Sequence, residues 1–251
     1  MALHFEQSPA DYKRHRPTYP AALFRHLASL APAHDVAWDC GTGNGQAALA
    51  LAGIFRRVIA SDASARQLAE ATPHARVAYR VAPAEASGLD RDSVDLVTVA
   101  QALHWFDLAR FYPEVERVVR PGGVLAAWCY TLVRVTPDVD RVIERFYQDV
   151  VGPYWPKQRA HVESAYRDLP FPFPPLPSPP ALAMALEWRL DDLLGYVRTW
   201  SPVKIFAAER RYDPVRDLAP KLEAAWGRRE TRRTVRWPLH FRIGRVRAAP
   251  G

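Results

Sequence analysis

The residue types and spacing best suited to bind a ligand occur in Asp39-Cys-Gly41-Thr-Gly43-Asn-Gly45, which begins within the short apolar run VAWDC (36–40). Glycines in such a turn permit a sharp change of direction and let a ligand lie against the backbone. The spacing G-x-G-x-G is not the G-x-G-x-x-G of dinucleotide sites, and no Gly-Lys-Ser/Thr follows as in a P-loop. The motif therefore predicts a different nucleoside site, with tight packing of a helix on a strand as the alternative.

The charge of Asp39 indicates the charge of the ligand. A carboxylate that points into this crevice would repel a pyrophosphate and favour a ligand that carries positive charge. S-adenosylmethionine (SAM) has a sulfonium and an α-ammonium group and no phosphate. The sequence therefore favours SAM over NAD.

Further cofactor contacts are predicted where the next two strands end. Asp62 closes the run RVIASD (57–62), where a carboxylate can accept hydrogen bonds from both ribose hydroxyls, with Ala63 beside it. An N-cap of the following helix is the alternative role for Asp62. Ala84 and Glu85 follow the third strand and could meet the adenine edge, although Glu85 could equally be a surface carboxylate.

Candidate acceptor-binding residues follow the fourth strand. His104 and Trp105 lie where a strand end faces the ligand crevice, and His104 is the candidate general base. The alternative is that Trp105 and Phe106 anchor the following helix while His104 bonds a loop carbonyl.

The N-terminal arm is unusually aromatic, with Phe5, Tyr12, Arg16, Tyr19 and Pro20 before the first strand. Aromatic faces attract a sulfonium by cation–π forces of ~0.5–2 kcal/mol. Tyr12 and Arg16 are predicted to bind the cofactor, with Arg16 pairing with its carboxylate, and Tyr19 to bind the acceptor. The alternative is an arm that only packs on the sheet edge.

Aromatic residues after the fourth strand are candidate walls for an acceptor pocket. Tyr130 and Trp200 are the two expected to bind the acceptor. The other candidates, which could equally belong to the core, are Tyr154, Trp155, Tyr166, Trp188 and Tyr196.

The elements that would position these residues alternate between strand and helix. Near-continuous apolar strands separated by helices predict a parallel sheet covered on both faces, in a doubly wound α/β fold. The five predicted strands are 36–40, 57–62, 76–82, 93–102 and 123–130, with helices at 46–55, 63–72 and 111–120.

The regular alternation of strands and helices ends after Tyr130. Seven prolines in 170–180 predict a stiff, extended connector. Asp213 is the predicted N-cap and Gly227 the stop of an amphipathic helix, and Pro238 marks an edge or a bulge in the closing strand. The remaining predicted elements are helices at 137–152, 158–169 and 191–200 and strands near 182–190 and 234–246.

Composition restricts the class of protein. The chain has 251 residues, 49% hydrophobic and 24% charged, with two cysteines, Cys40 and Cys129, that we expect to be buried and reduced. It has no run of eighteen apolar residues and no secretory signal, so a cytoplasmic protein is expected. The net charge of +7 reflects a basic region at 227–247, which predicts either an RNA-binding surface or a strand pair with one solvated face.

Together these residues resemble the class I SAM-dependent methyltransferases over 36–130. The segments DYKRHRPTYP, AQALHWFD, RPGGVLAAWCY and YVRTWSPV are similar to the group that includes trans-aconitate methyltransferase and related small-molecule enzymes. The resemblance implies a seven-stranded sheet with an antiparallel last strand, Gln101 near the sulfur, and Asp39, Gly41, Gly43 and Gly45 at the methionine part of SAM. Gln101-Ala102-Leu103-His104 stands where Asn-Pro-Pro-Tyr marks DNA and protein amide methyltransferases, which argues against those substrates.

The predicted activity is transfer of a methyl group from SAM to a small molecule, either a flat ring compound or a small carboxylic acid, leaving S-adenosylhomocysteine. The predicted organisation is a single domain with N-terminal lid helices at 1–35, a SAM-binding core at 36–133, and a substrate cap with the last strands at 134–251. No metal, no membrane partner and no nucleic acid are expected, and the protein is expected to be a monomer or homodimer. The alternatives are a nucleic-acid methyltransferase or RNA-binding module and, less favoured, an NAD-dependent oxidoreductase.

Overall fold

The computed structural model describes residues 17–246, and these fall into two compact units. One unit comprises Tyr19–Thr131, Ala160–Leu182 and the segment from residue 239 onward, and is called here the sheet unit. The other comprises Leu132–Arg159 and Ala183–Pro238, and is called the helical unit. The predicted arm residues Phe5, Tyr12 and Arg16 lie outside the described residues.

Seven strands form one sheet in the order β3-β2-β1-β4-β5-β7-β6. The strands are β1 (Val36–Cys40), β2 (Arg57–Asp62), β3 (Val77–Val81), β4 (Val94–Ala100), β5 (Val119–Tyr130), β6 (Ala183–Trp188) and β7 (Arg233–Arg245). The first five strands run parallel to one another, and β7 runs antiparallel to both β5 and β6. This confirms the predicted doubly wound, mostly parallel sheet.

The strand order reverses between β1 and β4. The chain moves outward from β1 through β2 to β3, then returns to pair β4 with the other side of β1. In such sheets a ligand binds outside the carboxyl ends of the strands at the reversal. The glycine motif follows β1 and Gln101 follows β4, so both motifs lie at this point.

The helices within residues 17–246 cover the sheet or build the helical unit. They are α1 (Ala21–Leu30), α2 (Gln46–Ala52), α3 (Ala65–Ala69), α4 (Leu108–Val118), α5 (Pro137–Arg145), α6 (Arg159–Glu163), α7 (Leu190–Arg198), α8 (Ser201–Arg210) and α9 (Val215–Trp226). A π-helical turn (Phe146–Val150) extends α5, and 3₁₀ turns occur at Leu103–Trp105 and Gly152–Tyr154. None of the helices in this part of the chain is long and apolar enough to cross a bilayer.

The closing strand β7 changes partner along its length. Residues 233–238 pair with β6, and residues 239–245 pair with β5. Pro238, expected at an edge or a bulge, lies at the last position paired with β6 and one residue before the first position paired with β5. A residue without an N–H is accommodated where one set of ladder hydrogen bonds ends and the other begins.

Several predicted element bounds change in the structure. The helix expected over 158–169 ends at Glu163, because Ala165 and Tyr166 have φ of +57° and +60°. The N-cap of α9 is Pro214 rather than Asp213, although the Asp213 carboxylate still accepts a hydrogen bond from the Val215 N–H at 2.9 Å. Gly227 is confirmed as the C-cap, with φ of +82°.

The proline-rich segment 170–180 contains no helix and, as predicted, is extended. Pro175 forms an isolated antiparallel bridge with Gly244 of β7. A Cβ on Gly244 would lie 2.7 Å from the Cβ of Phe173, so only glycine permits this close approach. The segment therefore packs directly against the sheet.

Candidate functional site

The glycine turn after β1 is shaped by three residues with positive φ. Gly41 has φ of +68°, and a Cβ there would lie 2.7 Å from Ala102; Gly45 has φ of +83°, and a Cβ there would lie 2.5 Å from the Tyr79 hydroxyl. Gly43 has φ of +57°, and none of the atoms of residues 17–246 outside its own turn lies within 4 Å of where its Cβ would lie. Gly41 and Gly45 thus allow other residues to approach the turn closely, whereas Gly43 faces open space.

Asp39 lies beneath the turn rather than in the crevice. Its side chain is fully buried, and its carboxylate accepts hydrogen bonds from the hydroxyls of Thr42 at 2.5 Å and Thr98 at 2.7 Å. Burial raises the pKa of Asp39 to about 6, against the lowering effect of these bonds. The expectation that this carboxylate points into the crevice is wrong, because the side chain is fully buried and bonded to two hydroxyls. Its influence on a ligand is therefore through charge and through Thr42.

Asp62 holds the glycine turn in place from the end of β2. One carboxylate oxygen accepts a hydrogen bond from the Gly43 N–H and the other from the Ser64 N–H, both at 2.8 Å. The N-cap of α3 is Ser64, whose hydroxyl accepts from the Gln67 N–H, so the N-cap alternative for Asp62 is wrong. Asp62 is half-buried and Ala63 exposed, and a carboxylate oxygen has a second lone pair for a further donor.

Ala84 and Glu85 lie in the loop after β3, at the same edge of the sheet. Ala84 is buried, and the Glu85 carboxylate accepts a hydrogen bond from the Asp107 N–H at 2.8 Å, at the start of α4. The same loop is anchored from α4 by Glu114, which accepts hydrogen bonds from Ser87 and Arg117. These bonds, chiefly that from Arg117, lower the pKa of Glu114 to about 2.

Gln101 ends β4 in a strained conformation. Its φ is +57°, in the left-handed region that costs non-glycine residues roughly 1–2 kcal/mol. Its side-chain oxygen accepts a hydrogen bond from the Tyr130 N–H at 2.8 Å, and its own N–H donates to Trp128 at 2.8 Å. The predicted strand at 93–102 therefore stops at Ala100, and the Gln101 amide fixes the end of β5.

His104 is held by a tyrosine that sequence reasoning named only as a possible pocket wall. The Tyr166 hydroxyl lies 2.8 Å from His104 Nδ1, and the two rings are 5.8 Å apart. Tyr166 is fully buried, and Arg242 of β7 donates to its carbonyl oxygen. This side-chain contact joins His104 to a residue 62 positions along the chain, and a bond from His104 to a loop carbonyl stays a prediction.

The other predicted acceptor residues lie in different surroundings. Trp105 is 56% exposed and its ring is 4.9 Å from that of His104. Tyr19 packs edge-on against Trp128 at 5.4 Å, and Tyr130 is half-buried at the end of β5. Trp200 belongs to the helical unit, where it is buried among aromatic rings. The structure thus brings His104, Trp105, Tyr19 and Tyr130 into the sheet unit and assigns Trp200 to the other.

The described residues contain no group of three or more histidine, cysteine, aspartate or glutamate side chains placed to hold a metal ion. Both cysteines are buried thiols that form no disulfide within residues 17–246, Cys40 in β1 and Cys129 in β5. Burial raises the pKa of Cys40 well above its ordinary value.

Comparison with known proteins gives one consistent answer. Residues 38–127 match a family profile described as a methyltransferase domain. A protein of Dictyostelium discoideum named as a methyltransferase is 33% identical over 220 residues, which is 86% of this chain and 83% of that protein. A solved structure from Anaeromyxobacter dehalogenans, titled as a candidate type II methyltransferase, is 50% identical with a TM-score of 0.87, over 93% of this chain and 99% of that one.

A yeast relative from Saccharomyces cerevisiae, named as an S-adenosylmethionine-dependent methyltransferase, is 30% identical over 130 residues. That match spans 48% of this chain and 45% of the relative. The order of the sheet, the glycine turn at its reversal point and these likenesses agree. The chain belongs to the class I SAM-dependent methyltransferases.

The residues at the reversal point fit this cofactor. Gly43 presents bare backbone to open space, Asp62 offers carboxylate oxygens at the end of the neighbouring strand, and the buried charge of Asp39 lies below the turn. No basic side chain that would bind a pyrophosphate occurs in the turn at 41–45. These features fit a nucleoside that carries positive charge.

Proposed function

We propose that this methyltransferase acts on a small molecule, either a flat ring compound or a small carboxylic acid. The observation that carries the proposal is the exposed indole of Trp105 beside His104, at the carboxyl end of β4. An exposed tryptophan next to a nucleoside site offers a flat apolar surface with little conformational entropy to lose on binding. A planar acceptor suits that surface.

The cofactor-binding roles form the first part of the proposal. Bound SAM supplies a methyl group on a sulfonium, an electrophile with a good leaving group. Gly41, Gly43 and Gly45 would lie along its methionine part, with the charge of Asp39 beneath them. Asp62 would accept from the ribose, Ala63, Ala84 and Glu85 would lie by the adenine, and Gln101 would lie near the sulfur.

Little covalent assistance is needed for an in-line displacement of this kind. Positioning of two reactants can supply ~7–11 kcal/mol of the barrier. The chain's task is then to hold the acceptor in line, which Trp105, Tyr19 and Tyr130 would do by packing.

His104 would act as a base only if the acceptor must lose a proton. A general base then contributes typically ~10²–10⁴-fold. The Tyr166 hydroxyl fixes the ring of His104, which keeps one ring nitrogen engaged and the imidazole oriented. A carboxylate acceptor is already ionised near neutral pH and would leave this role unused.

The finer family assignment is also a proposal. The four segments similar to the trans-aconitate methyltransferase group support membership of that group, and a substrate cap within 134–251 stays a prediction. The basic residues of β7 supported the RNA alternative. Arg233, Arg242 and Arg245 instead donate to main-chain carbonyl oxygens within the protein.

The test is to incubate the protein with isotope-labelled SAM and a metabolite extract, and to identify the labelled product by mass spectrometry. We expect a labelled product of low molecular mass, and its loss in Asp62→Ala. Label that appears only when total RNA is added would overturn the small-molecule proposal. His104→Gln should lower kcat by ~10²-fold or more for an acceptor that loses a proton, and have little effect for a carboxylate.

A further inference from the structure

Three aromatic rings of the helical unit surround one another at close range. The ring of Tyr147 lies 5.1 Å from that of Trp155 and 5.8 Å from that of Trp200, and the latter two are 6.0 Å apart. We call Tyr147, Trp155 and Trp200 the aromatic triad. Tyr147 and Trp200 are buried and Trp155 is half-buried.

The guanidinium of Arg159 is fixed against this triad. Its central carbon lies 4.8 Å from the Trp155 ring and 5.8 Å from the Tyr147 ring, and its Nε donates to the Tyr147 hydroxyl at 2.9 Å. Two ring contacts and one hydrogen bond leave the side chain little freedom. The plane of the guanidinium is therefore set before any ligand arrives.

The terminal N–H groups of Arg159 have no acidic partner in residues 17–246. By contrast, two of the other arginines stacked on rings direct a terminal N–H to a main-chain oxygen: Arg233 to Trp226, and Arg242 to Tyr166. A half-buried cation that is held in place, with no carboxylate partner in the part of the chain that the structure describes, is suited to bind an anionic ligand.

The indole N–H of Trp155 is a second group that lacks a partner. It is buried, and no acceptor among the described residues lies within hydrogen-bonding distance. A buried N–H without an acceptor is destabilising, and such groups in native structures call for an explanation. Both unmatched groups are donors, and they occur on side chains that contact each other.

We propose that Arg159 and the aromatic triad form a binding site for a small planar carboxylate. The carboxylate would pair with the terminal N–H groups of Arg159 and give the Trp155 N–H an acceptor, while the planar frame packs on the half-buried indole ring of Trp155. This inference rests on the proposed function. Of the two acceptor classes proposed there, the site would select carboxylic acids.

Isothermal titration calorimetry of the full chain, saturated with S-adenosylhomocysteine, tests the site with trans-cinnamate, benzoate and the uncharged trans-cinnamamide. We expect at least one acid to bind, and cinnamamide to bind at least tenfold more weakly than cinnamate. Arg159→Gln should weaken binding of the acids at least tenfold and leave the affinity for cinnamamide unchanged. Arg159→Lys should give an intermediate affinity for the acids, since an ammonium lacks the planar fork of N–H groups.

Arg210→Gln is the matched control. Arg210 also donates its Nε to a tyrosine hydroxyl of the helical unit, that of Tyr154 at 3.2 Å, but it lies outside the triad. This variant should bind the acids like the wild type. Unchanged affinity for S-adenosylhomocysteine and an unchanged unfolding temperature would show that Arg159→Gln remains folded.

Two results would overturn the site: acids that bind no better than the amide, or an Arg159→Gln variant that binds them as the wild type does. The proposed function fails separately. Acids that bind through Arg159 but are not methylated support the site and remove its acceptor role, whereas methylation of uncharged metabolites without any acid binding supports the enzyme and overturns the site.

Discussion

At the scale of single residues, two carboxylates near the glycine turn have different surroundings and therefore different roles. Asp62 is half-buried and bonds two backbone N–H groups, whereas Asp39 is fully buried and bonds two hydroxyls. The first can still accept from a ligand, and the second cannot be reached by one. Their substitutions should consequently affect different quantities.

Replacing Asp62 with alanine should weaken binding of S-adenosylhomocysteine at least tenfold in calorimetry. The change removes the proposed ribose acceptor and also releases the Gly43 N–H, which holds the turn. Asp90→Ala is the control, because Asp90 is exposed and precedes the amino end of β4, away from the glycine turn. An affinity equal to that of the wild type would remove the ribose assignment.

Replacing Asp39 with asparagine should stabilise the protein near neutral pH. The folded state raises the pKa of Asp39 from 3.8 to about 6 through burial, so the folded protein holds this proton more tightly than the unfolded chain. Stability from this group therefore falls as the pH rises from about 4 to 6, by up to about 3 kcal/mol.

Urea unfolding of both proteins at pH 4 and pH 7 checks this sign. The free energy of unfolding of the variant should exceed that of the wild type at pH 7 and approach it at pH 4. A gap that is the same at both pH values would show that the ionisation of Asp39 carries no stability cost.

At the scale of elements, Glu114 joins α4 to the loop after β3 that carries Ala84 and Glu85. Its carboxylate accepts from the Ser87 N–H at 2.9 Å and from the Arg117 guanidinium at 2.7 Å. Arg117 in turn donates to the Leu89 carbonyl at 2.7 Å. Two residues of α4, Glu114 and Arg117, thus fix Ser87 and Leu89, in the loop that also carries the proposed adenine contacts.

Glu114→Gln should destabilise the protein by about 2–3 kcal/mol at pH 7. The folded state lowers the pKa of Glu114 from 4.5 to about 2, so the stability it gives is present above pH 4.5 and is lost as the pH falls towards 2. Chemical unfolding at several pH values measures the difference, with the exposed Glu116→Gln on the same helix as control. A difference that does not shrink in acid would contradict the role of charge.

The parallel strands could be predicted from sequence because both of their faces are buried. A strand such as β4, with every residue from Val94 to Val99 buried, leaves a predominantly apolar run that can be recognised in the sequence. The glycine turn was recognisable for a similar local reason. Helix α8 was missed, since only Pro202 and Val203 of its ten residues are buried and no apolar stripe results.

The contacts that shape the candidate site could not be predicted, because they are made between distant segments. The bond between His104 and Tyr166, and that between Gln101 and Tyr130, depend on tertiary structure alone. The left-handed backbone of Gln101 and Tyr166 has no local signal either, since neither residue is glycine or asparagine. The burial of Asp39 depends on Thr98, which is 59 residues away.

At the scale of the whole molecule, the reactivity of the two thiols measures how readily the sheet opens. Cys40 in β1 and Cys129 in β5 are both buried, and burial raises the pKa of Cys40 well above its ordinary value. Because a thiolate is the reactive species, we expect neither cysteine to react with a disulfide reagent in native buffer, and both to react in urea. Two thiols that react within seconds in native buffer would show that the sheet opens readily.

The pairing of β7 has a consequence for how the protein is made. The outer edge of β5 is covered by residues 239–245, which are synthesised after all the other described strands. At about 5–20 residues per second, the segment between β5 and these residues takes roughly 5–20 s to synthesise. For that interval the nascent chain carries a buried-type apolar strand with an open edge, so its yield in cells should depend on chaperones that shield such edges until β7 has been made.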